Sequence, residues 1–126
     1  MLGVVGTVPD LSLPLLCGDV RLRGDTILVG EKTVPVRRGT PALLAAAVRT
    51  LEALDRGRPF GFLAGDIGLG EGSRRLYEYL CHHLDLYDVE TLAFHYLQPD
   101  VDWHNRVLFA VEALARRPTL IADAGV

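Results

Sequence analysis

Cysteine is scarce in this chain of 126 residues: Cys17 and Cys81 stand alone, without CxxC spacing. That pattern argues against a zinc site and against a disulfide framework, and it suits reduced thiols. A surplus of positive charge is also absent, the formal net charge being -3. Nucleic acid and an anionic membrane surface are therefore disfavoured, because each is usually met by a basic patch. No apolar run approaches the ~20 residues of a membrane span. No basic segment followed by an apolar one opens the sequence, so no signal peptide is evident and the expected location is cytoplasmic.

What is present is apolar and glycine-rich. Hydrophobic residues make up 49% of the chain, so it is expected to bury a core as a single domain over residues 1–126 rather than remain disordered. Residues 1–24 alternate apolar groups with Gly6, Pro9, Pro14 and Gly18, which forbid a long helix. They are expected to form an irregular arm, or a short strand or two at a sheet edge. From residue 25 the pattern is cleaner. Thr26-Ile27-Leu28-Val29 reads as a buried strand ending at Gly30, and residues 31–39 as a loop or short hairpin arm. Thr40 as N-cap and Pro41 at the first helical position open a helix over 40–54, with Leu43, Leu44, Ala47, Leu51 and Leu54 on its inner face. Strands follow near 60–65, 91–96 and 118–122, with helices near 73–84 and 103–116, the last presenting Val107, Leu108, Val111 and Leu114 inward. The cadence β-α-β-α-β-α-β predicts an α/β fold, a three-layer α-β-α Rossmann-like arrangement around a mainly parallel sheet of about four strands.

Parallel strands bring their carboxyl ends to one rim, where ligands bind in such folds. The most suggestive stretch is Gly65-Asp66-Ile67-Gly68-Leu69-Gly70-Glu71-Gly72-Ser73, a glycine-rich turn from a strand into a helix. It resembles a phosphate cradle, although it matches neither GxGxxG nor a P-loop and has no lysine after the last glycine. Asp66 serves equally well as a ligand for a hydroxyl or a hydrated cation, or as a cap for nearby backbone N–H groups. The expected ligand-binding residues are Thr40, Asp66, Gly68, Gly70, Gly72, Ser73, His95 and Asp123, with Gly30, Tyr96, Gln98, Asp100 and Gly125 on the same rim. No residue is assigned a catalytic role, and no metal ligand set is assigned. Asp100, Asp102, His104 and Asn105 make a dense polar cluster that could hold a metal, but Asp102 or Asn105 is expected there as a helix cap. His82 and His83 fall on a helix flank.

With those residues placed, the chain resembles the ribokinase-like superfamily, in particular its sugar-kinase-related branch that includes the ADP- or ATP-dependent NAD(P)H-hydrate dehydratases. The likeness is carried by three pieces. They are Thr26 to Gly30 with Gly39-Thr40-Pro41-Ala42-Leu43-Leu44-Ala45-Ala46-Ala47, the strand from Phe60 to Asp66, and the segment from Thr91 that ends Ala122-Asp123-Ala124-Gly125. The resemblance implies a carbohydrate kinase or hydro-lyase acting on a small molecule, with ATP or ADP, and Mg, as cofactors. The superfamily's Gly-x-Gly-Asp signature, whose aspartate is the catalytic base, does not occur in the chain. The chain is therefore expected to correspond to the N-terminal half of such a fold. A stand-alone Rossmann- or flavodoxin-like module that binds a ligand or a partner without catalysis is the alternative. A homo-oligomer is compatible with either.

Overall fold

A computed structural model of the chain describes residues 1–123. It is an α/β structure with one mixed sheet of seven strands and three α-helices. The strands are β1 (Leu2–Val8), β2 (Leu16–Arg23), β3 (Thr26–Val29), β4 (Lys32–Pro35), β5 (Phe60–Gly65), β6 (Thr91–His95) and β7 (Thr119–Ala122). The helices are α1 (Thr40–Ala53), between β4 and β5, α2 (Glu71–His83), between β5 and β6, and α3 (Val101–Glu112), between β6 and β7. The sheet order is β4-β3-β2-β5-β1-β6-β7.

The expected mainly parallel sheet of about four strands needs correcting, because the sheet divides into two parts. β5, β1, β6 and β7 are parallel, whereas β2 runs antiparallel to β5, and β3 and β4 continue antiparallel beyond it. The strand near 26–30 therefore does not begin a parallel βαβ unit. The short Gly30-Glu31 turn returns the chain directly into β4, and a connection that short only joins antiparallel neighbours. Pro35 ends β4 at the sheet edge, where a missing N–H breaks no ladder.

The expected arm over residues 1–24 is corrected as well. β1 is a central strand, paired on both sides, and all but its first residue are buried. Its glycines are there because neighbours come close. A Cβ on Gly6 would lie 2.5 Å from the Thr40 side chain, and one on Gly3 would lie 3.0 Å from Leu92.

Successive residues of a strand face opposite sides of a sheet, so Val4 and Val5 serve separate cores. Val4 joins Val20, Ile27, Leu44, Val48 and Leu63 beneath α1. Val5 joins Phe62, Leu76, Leu80, Leu92, Val107 and Val111 beneath α2 and α3. In α1 the buried stripe is Thr40, Leu44 and Val48, at i, i+4 and i+8, while Leu43 and Leu54 are exposed. In α3 Val107 and Val111 face inward, as expected, but Leu108 lies 43% exposed. No helix among the described residues is long and apolar enough to cross a membrane.

Candidate functional site

The carboxyl ends of β1, β5 and β6 meet the start of α1 around an open cleft of about 560 Å³. Thr7 and Pro9 enter it from β1, Asp66 and Gly68 from β5, Tyr96 and Gln98 from β6, and Arg38 and Gly39 from the turn before α1. The Tyr96 backbone has φ 54, an uncommon left-handed conformation for a residue other than glycine. Its carbonyl accepts a hydrogen bond from the Thr7 hydroxyl, which holds that turn against the end of β1. Its ring packs so closely on Gly39 that a Cβ there would sit 2.8 Å away.

Asp66 organises the glycine loop. Its Oδ1 accepts from the N–H groups of Gly68 at 2.8 Å, Leu69 at 3.0 Å and Gly70 at 3.1 Å. Its Oδ2 accepts from the Ser73 N–H at 3.1 Å and the Ser73 hydroxyl at 3.2 Å. Burial raises the pKa of this carboxyl, but the Ser73, Gly70 and Gly68 N–H groups and the Ser73 hydroxyl outweigh burial and bring it below the ordinary aspartate value. The carboxylate occupies the place an anionic ligand would take at the start of α2. With both oxygens engaged and its pKa lowered, it is a poor general base.

The loop glycines have structural reasons of their own. Gly68 and Gly70 adopt φ 96 and φ 94, which carry the backbone round the carboxylate. A Cβ on Gly72 would meet the Gly65 carbonyl oxygen at 2.3 Å, so the first turn of α2 rests directly on the end of β5.

A relay of hydrogen bonds ties this loop to the next one. The Gln98 N–H donates to Ser73 Oγ at 2.9 Å, and the Tyr77 hydroxyl donates to the Gln98 carbonyl at 2.7 Å. With its one proton spent there, Tyr77 accepts from His104 Nε2–H at 2.9 Å. Burial, and then the charge of Asp100, push the Tyr77 phenol up to about 12, so it stays protonated in this role. Asp100 itself caps α3 by accepting from the Trp103 N–H at 3.2 Å, in place of the expected Asp102 or Asn105.

Thr40, His95 and Asp123 form a second cluster beside the cleft. His95 Nδ1 lies 3.0 Å from Thr40 Oγ1, and its Nε2 lies 3.7 Å from Asp123 Oδ2. A carboxylate facing Nε2 favours a proton there, so in the neutral ring the Thr40 hydroxyl donates to Nδ1. Thr40 is fully buried against Gly6. Its expected part as N-cap is corrected: Gly39 takes that position, α1 has no capping side chain, and the hydroxyl is spent on the imidazole.

The expected ligand residues thus fall into separate groups. Asp66 and Gly68 line the cleft, and Gly70 and Ser73 line a smaller recess of about 190 Å³ that shares Gln98 and Pro99 with it. Gly72 is buried in packing, and Thr40, His95 and Asp123 link three elements beside the rim. Gly125 lies outside the described residues. Thr7, Pro9 and Arg38 were not legible as site residues. Recognising β1 as central would have exposed the first two, whereas Arg38 carries no motif. Among the described residues, no group of three or more His, Cys, Asp or Glu could hold a metal ion. The cleft offers a guanidinium, the Gln98 amide and the Thr7 and Tyr96 groups, which suit binding and orienting a polar small molecule. Compared with protein-family models, curated proteins and solved structures, the chain matches none.

Proposed function

We propose that this chain forms a small-molecule site of the ribokinase-like type, serving a carbohydrate kinase or an NAD(P)H-hydrate dehydratase, with its ligand in the cleft at the carboxyl rim. The observation that carries the proposal is the cleft of about 560 Å³ where β1, β5 and β6 end, since parallel strands bind ligands there. A three-layer, Rossmann-like reading belongs to the same proposal, supported by one core under α1 and a second under α2 and α3. In this scheme Arg38 and Gln98 orient the ligand, and Thr7 fixes the turn that carries Tyr96.

A binding module without catalysis is the second reading. It is favoured by the saturation of Asp66, which leaves the Gly65-Asp66 turn without a base. Thermal-shift measurements with ATP, ADP, NADH and FMN, followed by NMR titration of any stabilising compound, test both. Stabilisation by ATP or ADP with shifts at Thr7, Gly68, Tyr96 and Gln98 would support the ribokinase-like proposal. Stabilisation by FMN alone would favour the module. Shifts confined to the opposite edge, near Arg56, Arg58 and Glu90, would reject a rim site altogether.

A further inference from the structure

A second cleft, of about 430 Å³, adjoins the first and shares Pro9 and Arg38 with it. It runs between β4, the loop after β1 and the start of α1. Val8, Leu13, Val34 and Pro41 are the buried apolar residues of its lining, and Arg37, Arg38 and Thr33 are among its polar ones.

We propose that this cleft holds the phosphoryl group of a small-molecule ligand, gripped by Arg37 and Arg38. This deepens the small-molecule reading of the adjoining rim and rests on it. Both guanidiniums line the cleft, and neither has a carboxylate within ion-pair distance among the described residues. Asp10 is the one acid in the lining, and its Oδ1 is engaged by the Ser12 N–H at 3.0 Å and the Ser12 hydroxyl at 2.6 Å. Two adjacent cations against the single Asp10 carboxylate leave the lining net positive, and a phosphate monoester, which carries about -1.5 to -2 charges at neutral pH, meets that surplus better than a monoanion does. Guanidinium forks also pair with phosphate oxygens in a bidentate fashion. The field behind them has the same sign: α1 begins here with no capping side chain and no acid in its first turn. Because Arg38 borders both clefts, a phosphorylated ligand can place its anionic group here and its remaining atoms on the rim.

The test is an NMR titration of the whole chain at low ionic strength with inorganic phosphate, and separately with acetate, repeated on Arg38→Lys and on the double variant Arg37→Ala/Arg38→Ala. Phosphate is expected to bind in the millimolar range, shifting the amides of Thr33, Arg37, Arg38 and Gly39. Acetate should shift them far less. The double variant should weaken binding by about tenfold or more, and Arg38→Lys should fall between, keeping the charge but losing the fork. Equal binding of acetate and phosphate, or undiminished binding by a double variant with a native-like spectrum, would overturn the proposal. Phosphate that leaves these amides unmoved, while ADP or NADH still shifts Gly68 and Gln98, would overturn it and leave the rim proposal standing. Silence towards all of these ligands would reject both.

Discussion

Two helices begin at the ligand rim, and they begin in opposite ways. α2 follows a glycine-rich turn, and its leading N–H groups close on the carboxylate of Asp66. α1 follows Arg37-Arg38-Gly39, has no capping side chain and opens onto two clefts. The first looks like an anion cradle in the sequence and is filled by the chain's own anion. The second carries no cradle motif and is where two arginines stand without an ion-pair partner among the described residues. A glycine-rich turn into a helix therefore marks a demand for an anion without saying whether that anion is a ligand or a side chain.

The largest expected effect is at the filled start. Asp66→Ala removes the acceptor from five donated hydrogen bonds at once and should cost about 4 kcal/mol in chemical denaturation, since hydrogen bonds to a charged group are each worth ~1.5–3 kcal/mol and are only partly replaced by water. A loss under about 0.5 kcal/mol, the range of surface substitutions, would show that the carboxylate does not hold the loop. The other helix has burial in place of a cap. Leu44→Ala, at a fully buried position under α1, should cost about 3 kcal/mol, within the ~2–5 kcal/mol typical of such truncations.

Acid sharpens the contrast. Hydrogen bonds hold the Asp66 carboxyl below the ordinary aspartate value in the folded chain, so folding disfavours its protonation. Its contribution to stability is complete above that value and is lost as the pH falls through the lowered pKa. Stability measured between neutral pH and pH 3 should therefore fall more steeply in the native chain than in Asp66→Asn, and parallel curves would contradict the assignment. Thr40→Val removes a buried hydroxyl that serves His95 rather than the helix, and should cost about 1–2 kcal/mol. Hydrogen exchange should show the loss around the end of β6 more than in the first turn of α1. The smallest effect belongs to the open start. Arg37→Ala/Arg38→Ala should change stability by no more than about 0.5 kcal/mol, because both side chains are exposed and unpaired among the described residues.

Much of the fold was legible where local chemistry and packing agree. β5 and β6 are short apolar runs, and α1 opens at Thr40-Pro41 as its composition suggests. β1 was hidden because its Gly3 and Gly6 weaken a strand signal locally while serving close contacts with Leu92 and Thr40, which lie far away in the chain. The pairing of β3 is not legible because an apolar β-branched run says nothing of its partners; only the short turns to β2 and β4 do. At the site, Asp66 was visible with both its uses open, and the structure shows the capping one. Arg38 was invisible because its position depends on three loops meeting, and a lone arginine in a turn has no pattern.

The contrast between the two helix starts is tested most directly by one titration of the isotope-labelled chain with ADP, in which both loops report in the same spectra. The account predicts that the amides of Arg37, Arg38 and Gly39 move together with Thr7, Tyr96 and Gln98, while Leu69, Gly70 and Ser73, bonded to Asp66 and outside the cleft lining, move little. Large shifts at Leu69, Gly70 and Ser73 with Arg37 to Gly39 unmoved would mean that the ligand displaces Asp66 and binds at α2, contradicting it.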